Sequence, residues 1–443
     1  MRSLRTTAGA MLIALALAPG AARAHGREPS LGLVAFDPTD PDHVVVRTTW
    51  GFITTHDHGE TFTWQCAAGV PFDRTREDPS LAATRSGAML ASTFDGLFRS
   101  DPNQCAWSAP ETAPQGAFVT DVVTDPTDLD VAYAIVSPGA TPDAIHRSDD
   151  EGLTWSEIAQ PHPDALTDRV RVAPSDAARL YTSGVIPRSD TAPRIGVVLR
   201  SDDRGATWRS FEIPLVDTER TIHLLGVDPT SPDRVFARVL RPVADTTPER
   251  LLLSEDGGET WVSVLEILEI VGFAIASDGV TAWAGSWDGG LHRSVDGGRT
   301  WSVLDAELRV RCLAWREAAT APGELWVCAD GFTRGFALGL SEDRGDTIAP
   351  LWIYWDVVND VGCDPTTPVG QLCPMYWPDL ATDLQLDGAV APDGGVPSEM
   401  DGGVAPVDRP GGCGCATAGA GAGPGAVLVP ILALLAYARR RRS

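Results

Sequence analysis

Lysine is absent from this sequence, and all 35 of its basic residues are arginine. A chain without a lysine amine cannot form a Schiff base and cannot supply the lysine of a phosphate-binding loop. Both classes of mechanism are therefore excluded. The exclusive use of arginine is typical of a GC-rich genome and does not by itself indicate a function.

Positive charge is scarce in total. The chain carries 60 acidic residues, and its formal net charge is -25 at pH 7. A surface this acidic repels nucleic-acid phosphates and anionic lipids, so nucleic acid is not an expected partner. With 443 residues, 43% of them hydrophobic, the chain is long enough for one large domain or two ordinary ones.

The N-terminal segment has the composition of a secretory signal. Residues 1–24 begin with Arg2 and Arg5, continue through an apolar stretch over 10–18 and end in a small-x-small cleavage motif at Ala24. The apolar stretch is too short to cross a bilayer as a stable helix. We expect export and a mature chain that begins near His25.

The eight cysteines show no Cys/His spacing of a zinc site, and we expect neither a metal nor a cofactor. An even number of cysteines in an exported chain indicates disulfides. Proximity in the sequence predicts three pairs, Cys312–Cys328, Cys363–Cys373 and Cys66–Cys105.

An eight-residue pattern, Ser-x-Asp-x-Gly-x-Thr-Trp, recurs along the chain. Four clear copies begin at Ser148, Ser201, Ser254 and Ser294. Three imperfect copies begin at Thr55, Ser100 and Ser341. Successive copies start 40 to 53 residues apart, a period that fits one four-stranded propeller blade. Seven copies predict seven blades over about residues 30–356.

Each copy has the composition of a hairpin turn. The aspartate can accept backbone N–H bonds inside the turn, and the glycine adopts a conformation that other residues resist. The tryptophan opens the next strand and buries an aromatic face between neighbouring sheets. We interpret the repeated aspartates as structural turn residues and not as a metal series: Asp57, Asp150, Asp203, Asp256, Asp296 and Asp343.

A second turn precedes many of the boxes. It contains an Asp-Pro pair in Asp37-Pro38, Asp125-Pro126 and Asp228-Pro229, each placed between the predicted first and second strands of a blade. Together, the boxes and the Asp-Pro turns resemble the Asp-box (BNR repeat) β-propellers. This group includes sialidases, sortilin-type receptors, xyloglucanases and the photosystem II assembly factor. The resemblance implies an all-β fold with a single seven-bladed propeller over 25–356, and it implies little about activity.

Sialidase activity is not expected. The family's Arg-Ile-Pro signature is missing near the first strands, and the nearest string, Arg194-Ile195-Gly196, falls in a loop of the fourth blade. Tyrosine, which supplies that family's nucleophile, is scarce. Of five tyrosines only Tyr133, Tyr181 and Tyr354 lie within the predicted blades.

A xyloglucanase-like hydrolase would need two carboxylates at a set separation. Asp95, Asp288 and Asp330 lie in equivalent predicted turns between second and third strands and are the candidates. The alternative, which we prefer, is that Asp-Gly is a favourable hairpin turn.

The same predicted face carries aromatic residues and long connections. The aromatic residues, which stack on a sugar or peptide or else pack over the blade edges, are Trp50, Phe94, Trp287 and Phe332. The connections over 183–196 and 240–249 are longer than in the other blades. Because loops carry function more often than strands, we expect the binding surface here.

Three segments follow the blades. Residues 357–386 form a cysteine-containing extension with a short helix over 378–386, and 387–411 read as a disordered Gly/Pro/Asp linker. Residues 412–443 combine Cys413 and Cys415, an apolar run and four arginines, and they resemble a MYXO-CTERM sorting signal. The resemblance implies cleavage by a sorting protease and retention at the cell surface. The alternative is an uncleaved short hydrophobic anchor with its arginines inside.

The favoured hypothesis is a monomeric, non-catalytic binding or scaffold module displayed at the cell surface, with an envelope glycan or an extracellular protein as its ligand. The alternative is a glycoside hydrolase that uses Asp288 with Asp95 or Asp330. A purely structural wall protein differs from the first hypothesis only in lacking a concave binding face.

Overall fold

The computed structural model describes residues 29–386, apart from positions 71, 75, 139–141, 191, 243–244 and 318–322. These residues form seven antiparallel sheets, each built from four consecutive strands. The predicted seven-bladed all-β propeller is confirmed. The signal segment with Ala24, the linker over 387–411 and the tail with Cys413 and Cys415 lie outside the described residues.

Each blade takes one uninterrupted stretch of chain. The strands of blades 1 to 4 are β1 (Leu31–Phe36), β2 (Val44–Thr48), β3 (Gly51–Thr55), β4 (Thr63–Cys66), β5 (Leu81–Ala83), β6 (Met89–Thr93), β7 (Gly96–Ser100), β8 (Trp107–Ser108), β9 (Phe118–Asp125), β10 (Asp128–Ser137), β11 (Ala144–Ser148), β12 (Ser156–Ala159), β13 (Leu166–Ala173), β14 (Asp176–Ile186), β15 (Ile195–Ser201) and β16 (Arg209–Pro214). Those of blades 5 to 7 are β17 (Thr221–Val227), β18 (Val235–Leu240), β19 (Glu249–Ser254), β20 (Val262–Ile267), β21 (Ile270–Ile275), β22 (Ala282–Ser286), β23 (Gly290–Ser294), β24 (Ser302–Asp305), β25 (Val310–Arg316), β26 (Glu324–Ala329), β27 (Leu338–Ser341) and β28 (Ala349–Trp352).

The Asp boxes close the hairpins between third and fourth strands. In blade 3 the carboxylate of Asp150 accepts bonds from the backbone N–H and the hydroxyl of Thr154 and from the hydroxyl of Ser148, at 2.8, 2.6 and 2.8 Å. The indole N–H of Trp155 donates to the carbonyl of Gly152 at 2.9 Å. The same carboxylate contacts recur at Asp57, Asp203, Asp256, Asp296 and Asp343.

The box of blade 2 departs from the pattern. Gln104 occupies the position that holds glycine in the other boxes, and its φ of 55° lies in the left-handed region. This conformation costs a residue with a Cβ roughly 1–2 kcal/mol, so something must hold the glutamine there. Its carbonyl accepts the indole N–H of Trp107 at 3.1 Å, as the box glycines do elsewhere.

The hydrophobic core lies between neighbouring blades. One cluster joins Tyr181 and Val198 of blade 4 to Ile222, Val235 and other buried residues of blade 5. β-branched and aromatic side chains of this kind pack well on pleated surfaces, which is why the strands are rich in them. Each blade therefore depends on its neighbours to bury its apolar faces.

The ring closes without a strand shared between its first and last blades. Strand β1 packs beside β25, and the chain after blade 7 continues as an extension over 353–386. The extension contains α1 (Pro368–Leu372), α2 (Trp377–Asp383) and two 3-10 turns, Tyr354–Asp356 and Cys373–Tyr376. It lies against the outer strand of blade 1, where the backbone N–H of Trp64 donates to the carbonyl of Asp360 at 2.8 Å.

Two predicted disulfide pairs are wrong, because the extension is bonded to the blades and not to itself. Cys373 is bonded to Cys66 of blade 1, and Cys363 is bonded to Cys105 of blade 2. The partners are separated by 307 and 258 residues. Closing the ring brings the end of the chain to its beginning, so proximity in the sequence does not decide these pairs. We call residues 353–386 and these two disulfides the strap.

The third disulfide joins Cys312 and Cys328, as predicted. These residues are direct register partners on β25 and β26. Proximity in the sequence therefore works for a pair within one hairpin, where the local strand geometry places the two side chains opposite each other.

Candidate functional site

The innermost strands of all seven blades enclose a central channel with a cavity of about 870 Å³. Segments of blade 1 (30–34 and 47–49), blade 3 (121–123) and blade 5 (223–225) lie in its wall, together with residues of the other four blades. This volume is within the range of roughly 300–1,000 Å³ that ligand sites occupy.

Arginine dominates the charge of the channel wall. The lining contains five arginines, Arg47, Arg169, Arg171, Arg238 and Arg311. Asp78 and Asp121 are the acidic residues that accompany them among the described lining residues. An excess of positive charge therefore lies inside a protein whose formal net charge is -25.

Arg169 and Arg171 lie two residues apart on strand β13, and their guanidinium groups contact different partners. A nitrogen of Arg171 lies 2.8 Å from the buried carboxylate of Asp121. Arg169 donates to the backbone carbonyls of Asp168 and Thr120, at 3.1 and 3.4 Å. Among the described residues no carboxylate lies within ion-pair distance of Arg169, so its charge is positioned but not neutralised.

Arg238 on β18 is the most enclosed of these cations. Its guanidinium lies 3.5 Å from the carboxylate of Glu249, and its Nε is buried without a hydrogen-bond partner among the described residues. Burial lowers the pKa of Arg238, and Glu249 acts in the opposite direction. Arg238 therefore places a positive charge, with Glu249 as its paired acid, in the lining of the channel.

A histidine lies on the same wall. The Nε2 atom of His223 on β17 is 2.6 Å from the carboxylate of Asp168. The carboxylate orients the ring beside Arg238, its register partner on β18. His223 is the only histidine among the described lining residues of the channel.

The glycine at position 32 makes room for Arg47. A Cβ built on Gly32 would lie 2.2 Å from a guanidinium nitrogen of Arg47. The guanidinium crosses this gap and donates to the carbonyls of Asp78 and Pro79 at 3.0 and 2.9 Å. The first two blades are thereby tied together at the channel wall.

Arg311 links the channel to the predicted ligand-binding face. Its guanidinium lies 3.5 Å from the ring centroid of Trp287, close enough for a cation–π contact. Arg309 approaches the same ring at 5.2 Å. Glu269 lies in the short connection before β21, and burial raises the pKa of its carboxyl while Arg311 opposes the shift.

Asp330, one of the candidate catalytic carboxylates, caps the turn in which it lies. It is buried and accepts bonds from the backbone N–H groups of Phe332 and Thr333 and from the Thr333 hydroxyl, at 3.0, 2.9 and 2.7 Å. All three bonds go to one oxygen, and Arg309 lies 3.8 Å from the other. A carboxylate held in this way has the role of a turn cap.

Asp95 and Asp288 are exposed and lie in blades 2 and 6. Asp288 borders a surface cavity of about 530 Å³ between blades 6 and 7, together with Trp287, Glu307 and Arg309. The structure therefore places the three aspartates in three blades, and Asp288 lines this surface cavity.

The four predicted aromatic residues differ in their availability. Trp50 is buried against Tyr354, with ring centroids 5.7 Å apart. Trp287 is half-buried beneath Arg311. Phe94 and Phe332 are exposed, and Phe332 packs edge-on against Trp355.

The long connections of blades 4 and 5 are organised around Glu219. This buried carboxylate accepts two bonds from Arg250, both at 2.9 Å, and one from Arg241 at 3.3 Å. Its backbone carbonyl accepts a bond from Arg194 at 2.9 Å. A single buried acid thus holds arginines from three segments and joins the long loops of blades 4 and 5 into one loop wall.

Sequence reasoning missed the channel arginines. The five lie on four strands, which belong to blades 1, 4, 5 and 7, and no linear motif contains them all. A local signal does exist in blade 4, where Arg169-Val170-Arg171 lies within the innermost strand β13. In a strand, alternate residues point the same way, so this Arg-x-Arg pair projects two charges to one side, and both arginines line the channel.

In the part of the chain that the structure describes, no three histidine, cysteine, aspartate or glutamate side chains come together as a metal site would require. None of its helices is both long and apolar enough to cross a membrane.

Comparison with protein families gives a partial match. The family model described as sortilin, neurotensin receptor 3 (Sortilin-Vps10) matches residues 143–284, which run from blade 3 into blade 6. A probable oligoxyloglucan-reducing end-specific xyloglucanase of Neosartorya fischeri is 24% identical over 211 residues, which are 43% of this chain and 24% of that protein. The chain thus spans about a quarter of the length of this curated relative.

Solved structures show the same fold at low sequence identity. An ancestral GH74 enzyme superposes with a TM-score of 0.54 and 13% identity, over 73% of this chain and 46% of the enzyme. The hydrazine synthase of Kuenenia stuttgartiensis superposes with a TM-score of 0.52 and 9% identity, over 73% of this chain and 98% of that one. At these identities the likeness establishes a shared propeller fold and not a shared activity.

Proposed function

We propose that this propeller is a non-catalytic binding module that works outside the cytoplasm and takes an anionic group of its ligand into the arginine-lined channel. The observation that carries the proposal is the group of five arginines in a cavity of about 870 Å³. Guanidinium groups recognise carboxylates and sulfates with paired hydrogen bonds, which gives both attraction and orientation.

The charge of the whole molecule makes this site selective. The acidic exterior repels anions in general, whereas the local field of the channel attracts them. A ligand that reaches the channel must therefore combine a negative group with a body that the mouth accommodates. Acidic glycans and acidic segments of extracellular proteins are the two ligand classes that meet this description.

The engagement of Asp330 in its own turn supports binding over hydrolysis. Hydrolysis requires two carboxyl groups roughly 5–10 Å apart around one bond. Asp330 is held in its own turn by three hydrogen bonds, and Asp95 and Asp288 belong to blades 2 and 6. The surface cavity beside Asp288 contains Arg309 and Arg334 as well as Glu307, so its charges are mixed.

Three observations support the extracellular address. The described residues contain three disulfides, which are typical of an oxidising compartment. The first 24 residues have the order of a secretory signal, and the last 32 have the order of a surface-sorting signal. Display at the cell surface after processing near Cys413 and Cys415 is part of the proposal.

The proposal is tested by binding the full chain to three probes: polygalacturonate as an acidic glycan, poly-glutamate as an acidic peptide, and uncharged xyloglucan oligosaccharides. We expect one of the two anionic probes to bind and the uncharged probe not to bind. Arg238→Gln and Arg169→Gln should each weaken that binding by about tenfold, the cost of losing one charge-assisted hydrogen-bond pair.

The matched control is Arg209→Gln, which removes an exposed arginine of the outer strand β16. Equal affinity of all three variants for the anionic probe would show that the probe does not bind in the channel, and it would contradict the proposal. Release of reducing ends from the xyloglucan probe, abolished by Asp288→Asn, would instead establish the hydrolase.

A further inference from the structure

The turns between first and second strands in blades 1 and 5 share one sequence frame. Residues 37–43 read Asp-Pro-Thr-Asp-Pro-Asp-His, and residues 228–234 read Asp-Pro-Thr-Ser-Pro-Asp-Arg. In both turns the first aspartate is buried and caps its own loop through the threonine two residues later. His43 therefore stands where blade 5 has Arg234.

Arg234 joins blade 5 to blade 6. One of its nitrogens lies 2.8 Å from the carboxylate of Asp228 and donates at 3.0 Å to the carbonyl of Gly279, which lies in the corresponding turn of blade 6. The guanidinium is always charged, so this connection between blades does not depend on pH.

In blade 1 two shorter side chains make the same connection. The Nδ1 atom of His43 lies 2.9 Å from a carboxylate oxygen of Asp37, and its Nε2 lies 2.9 Å from Oε1 of Gln104 in blade 2. The amide nitrogen of Gln104 then donates to the carbonyl of Gly87 at 3.1 Å. Gly87, like Gly279, lies in the turn between the first two strands of the next blade, so His43 and Gln104 together span the distance that Arg234 spans alone.

The position of Gln104 is explained by this contact. It is the only box residue at the glycine position, among the described boxes, that carries a side chain, and it adopts a left-handed φ of 55°. Its side chain is fully buried, and its amide nitrogen also donates to the carbonyl of Pro102 at 2.7 Å. Both amide hydrogens are committed to carbonyls, so the atom facing His43 is the carbonyl oxygen, an acceptor.

His43 therefore faces an acceptor at each ring nitrogen. Asp37 presents a carboxylate, and Gln104 presents its amide oxygen. Only the doubly protonated imidazolium can donate to both, because the neutral ring has a single N–H. His43, Asp37 and Gln104 are all more than nine-tenths buried, so water cannot replace a bond that is lost.

The charged groups around His43 are known on both sides of the seam. In blade 1 they are Asp37, which faces Nδ1 of His43, and His56, whose ring stacks on that of His43 with centroids 4.1 Å apart; Asp40 and Asp57 act on His56 from the same blade. From blade 2 the facing group is the uncharged amide of Gln104. Burial, followed by the neighbouring His43, lowers the pKa of His56.

We propose that His43 is a pH-responsive latch between blades 1 and 2. With both ring nitrogens protonated it bonds the two blades through Asp37 and Gln104. When the ring gives up one proton, one of these acceptors faces a lone pair and that bond is lost. The equivalent connection at Arg234 stays closed.

The latch acts at the place where the strap is attached. Cys105, the residue after Gln104, is bonded to Cys363. Because only the doubly protonated ring donates to both acceptors, the latch holds the seam more firmly in acid than in alkali.

The first test compares urea unfolding of the full chain at pH 6 and pH 8, with disulfides intact. The double variant His43→Arg/Gln104→Gly recreates the blade 5 arrangement and should lose the part of the pH dependence that His43 supplies. A second comparison in the His56→Gln background removes the opposite contribution of the stacked ring, whose lowered pKa favours the folded state at high pH. His162→Gln, in a loop after β12, is the matched control and should keep the wild-type difference.

The second test needs no variant. Hydrogen exchange of residues 101–107, corrected for the intrinsic rate, should be about threefold to tenfold less protected at pH 8 than at pH 6, the range that corresponds to one net hydrogen bond. Residues 276–281 of the blade 6 seam should be equally protected at both values. Equal protection of both segments, or an unaltered pH dependence in the double variant, overturns the latch.

Discussion

Glu219 accepts two hydrogen bonds from one guanidinium, that of Arg250, both at 2.9 Å, while its own side chain is only 1% exposed. Arg241 lies 3.3 Å from the same carboxylate. A buried acid between two arginines stabilises the loop wall only while it is charged, because each arginine would otherwise face the other without compensation.

Glu219→Gln should therefore destabilise the protein by about 3 kcal/mol, the scale of a broken buried ion pair. The glutamine keeps the shape of the side chain and removes its charge, so the loss reports electrostatics and not packing. Chemical unfolding measures it. Glu212→Gln, an exposed acid on β16, is the control and should change stability by less than about 0.5 kcal/mol. An equally small loss in Glu219→Gln would contradict the assigned role.

Removal of one strap disulfide should loosen the extension before the blades. In the Cys105→Ser/Cys363→Ser variant no free thiol remains from that pair, and we expect a loss of about 2–5 kcal/mol, the usual range for a native disulfide. Limited proteolysis should then cleave within 353–372 while blades 3 to 6 stay resistant. A cleavage pattern identical to that of the wild type would show that the extension holds its place by packing alone.

The Asp boxes should make stability fall in acid. Hydrogen bonds from the side chain and backbone of Thr300 lower the pKa of Asp296 to about 2, from the usual value of 3.8 for an aspartate. Its contribution is complete above about pH 4 and is lost as the pH falls towards 2. Asp296→Asn should flatten the curve of unfolding free energy against pH in this window. Asp190→Asn, in an exposed loop of blade 4, should leave the curve unchanged; a flattening of the same size in both would contradict the argument.

Trp287 should matter to anion binding through Arg311. The indole supports the guanidinium at 3.5 Å, so Trp287→Leu should leave Arg311 less well placed and weaken binding of an anionic probe severalfold, with little loss of stability. Phe332→Leu is the control, because Phe332 is 60% exposed and faces Trp355 and Tyr354. If Trp287→Leu leaves the binding of the anionic probe unchanged, the support of Arg311 by Trp287 has no part in anion binding.

The fold was predictable because the Asp box is a local device. Residues such as Asp150 and Thr154 make all their defining bonds within one eight-residue turn, so the turn can be recognised without knowledge of the rest of the chain. The spacing of such turns then gives the number of blades. Gln104 shows the limit of this logic, because its reason for replacing glycine lies across the seam in His43.

The strap and the channel were not predictable from the same evidence. The bond between Cys66 and Cys373 depends on the curvature that seven blades accumulate, which no local spacing records. Likewise, Arg47 and Arg238 lie on different blades and meet only around the axis of the ring. The aromatic residue Trp50 has the sequence context of an exposed turn, yet Tyr354 of the extension covers it.

The strap also determines how the propeller bears mechanical force. Tension applied to the chain beyond Leu386 reaches Cys373 and Cys363 first, and from there it passes through covalent bonds into blades 1 and 2. Strand β28 of blade 7, which precedes the strap in the chain, is bypassed by this route. The last blade is consequently shielded from peeling, and a stretched molecule yields only after a sulfur bridge breaks or a whole blade unravels.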